Sequence, residues 1–160
     1  MYGASLLSLI IRSVASMGLA YSNYFEPVNE GAITVEQFTV SLTPLGVIMP
    51  LLSQHGGGRR LEALPALPQP YILPTATLHS GALVLTLINR NATQAFEQPL
   101  SLAGWPALLP SASVLTYAAT GPTADSNFTE AQGAVPISGA GELTVLCPAY
   151  SVVQVRVQLK

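Results

Sequence analysis

The stretch SVVQVRVQL, residues 151–159, decides the fold class of this chain. Apolar and polar side chains alternate along it, the apolar set at Val153, Val155, Val157 and Leu159 and the polar set at Gln154, Arg156 and Gln158. Successive side chains of a β-strand point to opposite faces of a sheet. The alternation therefore predicts a strand with one buried face and one wet face.

Five further short apolar runs precede this strand, and residues typical of turns separate them. They occupy residues 72–78, 82–88, 95–102, 113–117 and 142–146. Six short strands at this spacing indicate an antiparallel β-sandwich or jelly roll. The chain is therefore expected to be mainly β.

The N-terminal part has a different pattern. Apolar residues between 4 and 20 recur at spacings of three and four, which predicts a helix: Leu6, Leu7, Ile10, Ile11, Val14, Met17 and Leu19. A loop follows, and then a β-branched and aromatic run at 33–40. Thr43 before Pro44 is a typical helix start, so a second helix is expected at 44–54, with Pro50 kinking it or ending it early.

A domain boundary is expected after the glycine triplet 56–58, which stops the second helix. Residues 59–74 carry four prolines and are typical of a connector or an edge segment. A chain of 160 residues has room for one complete domain and part of another. We therefore divide it into residues 1–58 and 59–160, the second being the sandwich.

Composition narrows the possible partners. Only 9% of the residues are charged and the net charge is −2, with no basic stripe that could neutralise a phosphate backbone, so nucleic acid is not expected as a partner. No apolar stretch approaches the roughly 20 residues that a membrane-spanning helix needs. The mean hydropathy of +0.45 is high for a soluble domain, which suggests apolar surfaces that further protein covers.

Few residues could carry hydrolytic chemistry. Glu26 and Glu30 are the only close acidic pair in a loop, and with Tyr24 and Asn29 they resemble a surface that binds sugar, although a solvated loop is the plainer interpretation. Trp105 could be a sugar platform on the sandwich, or a packed core residue. No catalytic residue is assigned.

The remaining candidates favour structural roles. His55 could line a site, but it is expected instead to cap carbonyl groups at the end of the second helix, where a partly positive imidazole is stabilised. His79 has no metal ligand near it in sequence, so neither a metal nor a cofactor is predicted. Cys147, the single cysteine, is expected to be a buried, inert thiol. Asn91 and Asn127 lie in Asn-x-Thr sequons within turns and are candidate glycosylation sites of a secreted protein.

Several segments together resemble the C-terminal region of α-L-arabinofuranosidases of the βα-barrel clan, most closely glycoside hydrolase family fifty-one. The resemblance is carried mainly by three segments: LVLTLINRNATQA, TGPTADSNFTEAQGAVPI and LTVLCPAYSVVQVRVQL. Two upstream segments, PVNEGAITV and LTPLGVIMPLLSQHGG, are similar to the family's last barrel loop and last barrel helix. The family more often has proline where this chain has Cys147.

This resemblance implies a longer protein. Its catalytic glutamates would lie on upstream barrel strands that have no counterpart here, and Glu26 and Glu30 would lie downstream of the nucleophile. Residues 1–58, with two helices, would then be the remnant of a (β/α) barrel, and the sandwich would normally include strands from the start of the full chain. The implied partners are the N-terminal catalytic barrel and carbohydrate.

Two functions from different classes follow. The first is a non-catalytic C-terminal portion of a secreted α-L-arabinofuranosidase-like enzyme that acts on arabinose-containing polysaccharides, in which this region braces the barrel. The alternative is a free-standing carbohydrate-binding β-sandwich whose aromatic platform comes from Trp105, Tyr117 or Tyr71. A truncated product that is never stable alone is a third possibility.

Overall fold

The structure is a computed structural model that describes residues 33–61, 69–105, 108–121 and 128–160. The helix predicted at 4–20 lies outside these residues. Within them the chain forms ten strands and one helix: β1 (Ile33–Glu36), β2 (Thr39–Leu42), α1 (Pro44–Ser53), β3 (Arg59–Arg60), β4 (Ile72–His79), β5 (Ala82–Asn89), β6 (Phe96–Ser101), β7 (Ser111–Ala119), β8 (Phe128–Pro136), β9 (Glu142–Cys147) and β10 (Ser151–Gln158).

Two antiparallel sheets make up the sandwich. The larger has the order β3-β4-β5-β10-β7-β8, and the smaller pairs β6 with β9. Leu85 and Val155, from the centre of the large sheet, belong to the same buried cluster as Phe96 and Val145 of the small one. The expected mainly β, antiparallel sandwich is confirmed.

The second face of the large sheet is covered by α1. Ile48 and Leu51 of this helix pack against Ile88 of β5 and Val152 of β10. Every residue of β5 is consequently buried, on both faces of the strand. The prediction of a wet face for the last strand is wrong at Gln154, which is 5% exposed, because the helix lies over it.

Helix α1 begins as predicted. The side chain of Thr43 accepts a hydrogen bond from the backbone N–H of Gly46 at 3.3 Å, which satisfies one of the free donors of the first turn. The helix continues past Pro50 to Ser53, so Pro50 does not end it early. After it the chain turns, with Gly57 at a φ of +71°, a conformation that glycine adopts without strain.

The β-branched and aromatic run at 33–40 belongs to a hairpin formed by β1 and β2. Gln37 has a φ of +45° in the turn, and the register pairs Ile33 with Leu42 and Val35 with Val40. One face of the hairpin is therefore apolar. The other is polar and consists of Thr34, Glu36, Thr39 and Ser41. Phe38, at the turn, is 100% exposed.

Strand β8 was not anticipated from the sequence. It pairs with β7 along nine residue pairs, from Ser111↔Pro136 to Ala119↔Phe128, and forms the edge of the large sheet. Its sequence, FTEAQGAVP, has neither an apolar run nor an alternation. An exposed edge strand has little apolar surface to bury, so the usual pattern is absent.

Contacts cross the predicted boundary at residue 58, because α1 packs on the sheet formed by the later residues. The division into residues 1–58 and 59–160 stays a prediction about domain organisation.

Candidate functional site

The predicted sugar-binding loop lies outside the described residues. This applies to Tyr24, Glu26, Asn29 and Glu30, and also to the sequon asparagine Asn127. Their proposed roles stay predictions.

Trp105 lies in the described part of the chain, next to a tight turn. Gly104 has a φ of +82°, and the backbone N–H of Trp105 donates to the carbonyl oxygen of Leu102 at 3.2 Å. The indole is partly buried and packs against the sandwich core. Its contacts are those of a core-flanking residue, and its role as a sugar platform stays a prediction.

Tyr71 is the more accessible of the other two aromatic candidates. Tyr71 is 47% exposed, and its ring stacks on that of Phe96, with ring centroids 6.2 Å apart and an angle of 8° between the planes. Phe96 is buried in the core. The stack fixes the orientation of Tyr71 at the end of the sandwich where β4 begins.

Tyr117 belongs to a polar cluster on β7 and β8. Its hydroxyl donates to Oε2 of Glu130 at 2.9 Å, and Nε2 of Gln132 donates to Oε1 of the same carboxylate at 2.9 Å. The strand register explains why these three side chains are in contact. Tyr117 and Glu130 are direct cross-strand partners, and Gln132 lies two residues further along the same face. Both oxygens of Glu130 are therefore held in place.

The hydrogen bonds set the protonation of this cluster. The bonds from Gln132 and then from Tyr117 lower the pKa of Glu130. Partial burial raises the pKa of Tyr117, and the bond to Glu130 and its negative charge raise it further. At neutral pH the cluster is an ionised carboxylate beside a protonated phenol.

Glu130 and Gln132 were not singled out from the sequence. They alternate with Ala131 and Gly133 in a strand without apolar periodicity, and no local motif joins them to Tyr117. The only usable signal was the separation of two residues between a carboxylate and an amide, which puts both on one face if the segment is a strand.

His55 does not cap helix carbonyls, and that expectation is wrong. Its Nδ1 lies 2.9 Å from Oγ1 of Thr77 and its Nε2 lies 2.8 Å from Oγ1 of Thr86, so the ring bridges β4 and β5. Burial lowers its pKa to about 4. A neutral imidazole has one donor and one acceptor, so one threonine donates to it and the other accepts.

Asn91 lies in the connection between β5 and β6 and is half-buried, whereas Ala92 and Thr93 after it are exposed. Its Oδ1 accepts hydrogen bonds from the backbone N–H groups of Thr93 and Gln94, both at 2.9 Å. The neighbouring Asn89 is fully buried, and its Nδ2 donates to carbonyl oxygens of Gln94, Cys147 and Pro148. Asn89 therefore anchors the turn that contains Asn91.

Cys147 is buried in the sandwich core, as expected. Burial raises the pKa of its thiol to about 12, so the nucleophilic thiolate is not populated at neutral pH. In the part of the chain that the structure describes, no group of three His, Cys, Asp or Glu side chains could hold a metal ion. None of the helices described there is long and apolar enough to cross a membrane.

No protein-family model and no curated protein matches the chain. Solved structures do. A GH51 arabinofuranosidase from Xanthomonas axonopodis pv. citri matches with a TM-score of 0.73 and 16% identity, over 97% of this chain and 35% of that one. An arabinose-bound GH51 α-L-arabinofuranosidase matches with a TM-score of 0.66 and 16% identity, over 81% of this chain and 21% of that one.

A thermostable GH51 α-L-arabinofuranosidase from Thermotoga petrophila RKU-1 matches with a TM-score of 0.61 and 19% identity, over 82% of this chain and 32% of that one. At these identities the likeness is one of fold. The chain spans between 21% and 35% of the length of these three solved structures.

Proposed function

We propose that this chain is the C-terminal, non-catalytic portion of an α-L-arabinofuranosidase-like glycoside hydrolase, and that it braces a catalytic βα-barrel in the complete enzyme. The observation that carries the proposal is the similarity of fold over 97% of this chain to a GH51 arabinofuranosidase of which it covers 35%. The substrate of the complete enzyme would be an arabinose-containing polysaccharide. The sequence segments that resemble the family support the same reading.

The carboxylates in the described residues support a non-catalytic role. They are all exposed: Glu36, Glu97, Glu130 and Glu142. Ordinary glycoside hydrolysis needs a pair of carboxyl groups, one of them with a pKa raised by apolar surroundings so that it can protonate the leaving oxygen. None of these four side chains has such surroundings.

The β1–β2 hairpin supports a bracing role. Its apolar face includes Val40, which is 70% exposed, and Leu42, which is 59% exposed. A two-faced pattern is what a hairpin needs when one face packs against protein and the other faces water. We therefore assign the apolar face of the hairpin to the contact with the barrel.

The first test is whether the chain hydrolyses anything alone. We expect the purified 160-residue chain to release neither arabinose nor nitrophenol from an aryl arabinofuranoside. Turnover that Glu30→Gln abolishes would overturn the proposal. Extension of the reading frame upstream of Met1 is the second test, and we expect barrel strands that carry two glutamates. An upstream stop codon in the genomic sequence would contradict this.

A free-standing carbohydrate-binding sandwich is the second candidate, favoured by the ordered Tyr117–Glu130 pair on an exposed sheet face. Thermal unfolding followed by circular dichroism, with light scattering in the same cell, separates the two. A cooperative transition without scattering would support the free-standing module. Scattering on heating would support a chain whose apolar faces belong against a barrel.

We also propose that the parent enzyme is secreted and that Asn91 carries an N-linked glycan. Ala92 and Thr93 of the sequon are exposed and Asn91 is half-buried. Oδ1 of Asn91 is the atom that the turn uses, so Nδ2 can carry a sugar without loss of these bonds. Expression through a glycosylating secretory pathway should add the mass of a glycan to the chain. Asn91→Gln should remove that mass, and an unmodified Asn91 in the wild-type chain would refute the assignment.

A further inference from the structure

We propose that Tyr117, Glu130 and Gln132 form a binding subsite for a neutral sugar on the face of the large sheet beside α1. The geometry of the cluster indicates a ligand with adjacent hydroxyl groups. The choice of an arabinose-containing ligand rests on the proposed function.

The first argument is the amphipathic character of this face. Leu115 and Tyr117 of β7 pack against the buried cluster of Ile88 and Val152, so the β7 side is apolar. On the β8 side, the carboxylate and the amide are exposed. A sugar ring has the same division, with apolar C–H groups on its face and hydroxyl groups around its rim.

The second argument is that the carboxylate is held in place before any ligand arrives. Each oxygen of Glu130 accepts one hydrogen bond from a neighbouring side chain, and a carboxylate oxygen has two lone pairs. One acceptor position therefore remains on each oxygen, and two adjacent hydroxyl groups match that spacing. Because the side chain is already ordered, less conformational entropy is lost on binding.

The third argument concerns access. β8 is the edge strand of the large sheet, and residues 129–134 are exposed. The side chains of residues 129–134 are therefore accessible to a ligand from solvent. A calcium ion, by contrast, takes six to eight oxygen ligands, usually with several carboxylates, and Glu130 belongs to no such group in the described residues.

The test is a titration of the 160-residue chain with an arabino-oligosaccharide, followed by amide chemical shifts. We expect saturable shifts at residues 115–118 and 129–133, with a Kd on the order of 1 mM, as a shallow site with few contacts would give. A cello-oligosaccharide is the ligand control and should bind more weakly. If the wild-type chain aggregates, the titration uses a background carrying Val40→Thr and Leu42→Thr, which lie outside the cluster.

Two variants test the assigned roles. Glu130→Gln keeps the size of the side chain and removes the charge, and we expect affinity to fall at least about fivefold, because hydrogen bonds to a charged acceptor are stronger than neutral ones. Tyr117→Phe keeps the ring and releases one carboxylate oxygen, and we expect a smaller loss. Glu97→Gln, in the exposed face of the small sheet, is the matched control and should bind like the wild type.

The proposal is overturned if saturating sugar leaves the shifts of β7 and β8 unchanged, or if Glu130→Gln binds as tightly as the wild type. Shifts confined to the surroundings of Trp105 or Tyr71 would place the site elsewhere and equally refute this one. These outcomes do not test the proposed parent enzyme, which is tested by turnover of the chain, by the upstream reading frame and by thermal unfolding.

Discussion

Nε2 of Gln154 donates a 2.9 Å hydrogen bond to the carbonyl oxygen of Leu51, 103 residues earlier in the chain. The acceptor is in the last turn of α1, and it also accepts the backbone N–H of Gln54 at 3.3 Å. The donor is in β10, at the centre of the large sheet. This bond joins the helix end to the final strand, and it explains why a glutamine can lie buried there.

Replacement of Gln154 by leucine should destabilise the chain by about 0.5 to 1.5 kcal/mol, because the carbonyl oxygen of Leu51 loses one of its two donors. The free energy of unfolding in urea is the measurement. Gln158→Leu, on the same face of β10 but partly exposed, is the control and should change stability far less. Equal effects of the two substitutions would contradict a specific role for the Gln154 bond.

His55 should make the chain sensitive to acid. Its pKa is about 4 in the folded state and 6.5 in an exposed histidine, so between these values the unfolded chain binds the extra proton. Above pH 6.5 the ring is neutral in both states and has no effect on the pH dependence. As the pH falls from 6.5 to 4, stability should decrease, by about 3 kcal/mol at the low end.

Urea unfolding at pH 7 and pH 4.5 measures this decrease. His55→Gln keeps a polar side chain and cannot titrate, so its stability should fall less over the same range. Subtracting the two curves removes the contribution of the carboxylates. An identical fall in both proteins would show that His55 is not the responsible group.

Gln98 should be replaceable with a gain in stability. Its side chain is fully buried in the small sheet, and its Oε1 has no hydrogen-bond partner in the structure, while Nε2 donates to the carbonyl oxygen of Pro99. Burial of an unsatisfied acceptor costs about 1 to 3 kcal/mol. Gln98→Met has a similar volume and no such acceptor, so its urea midpoint should rise. Gln98→Glu should lower it, and a lower midpoint for Gln98→Met would mean that the amide oxygen has a donor in solution.

The apolar face of the β1–β2 hairpin should control self-association. Val40→Thr together with Leu42→Thr reduces exposed apolar surface with a residue type that strands favour, and we expect less light scattering at high protein concentration. Thr39→Val, on the polar face, extends apolar surface to the other side and should increase scattering. Equal light scattering from the wild type and the two variants would show that the hairpin does not control self-association.

Much of the β structure was readable from local pattern. Strands such as β5 and β10 were identified from their sequence patterns. A strand buried on both faces is a continuous apolar run, and a strand buried on one face alternates apolar and polar residues. The start of α1 was equally readable, since Thr43 and Pro44 act on the helix end next to them. β8 was missed because an exposed edge strand shows neither pattern.

The candidate site was harder to predict from the sequence than the strands were. Tyr117 was a candidate platform, but Glu130 and Gln132 become its neighbours only through the pairing of β7 with β8. His55 was assigned to the helix that precedes it, while its partners are threonines 22 and 31 residues away. Both cases depend on which strands pair.

The sequence by itself determined the fold class, the position of the second helix and the burial of Cys147, because each depends on the hydrophobicity or conformational preference of neighbouring residues. Only the tertiary structure decided that α1 covers the large sheet, that Gln154 and His55 are buried there, and that a carboxylate on β8 meets Tyr117. The physical reason is that hydrogen bonding and burial between distant residues are set by strand register and by the packing of layers, which leave no local pattern.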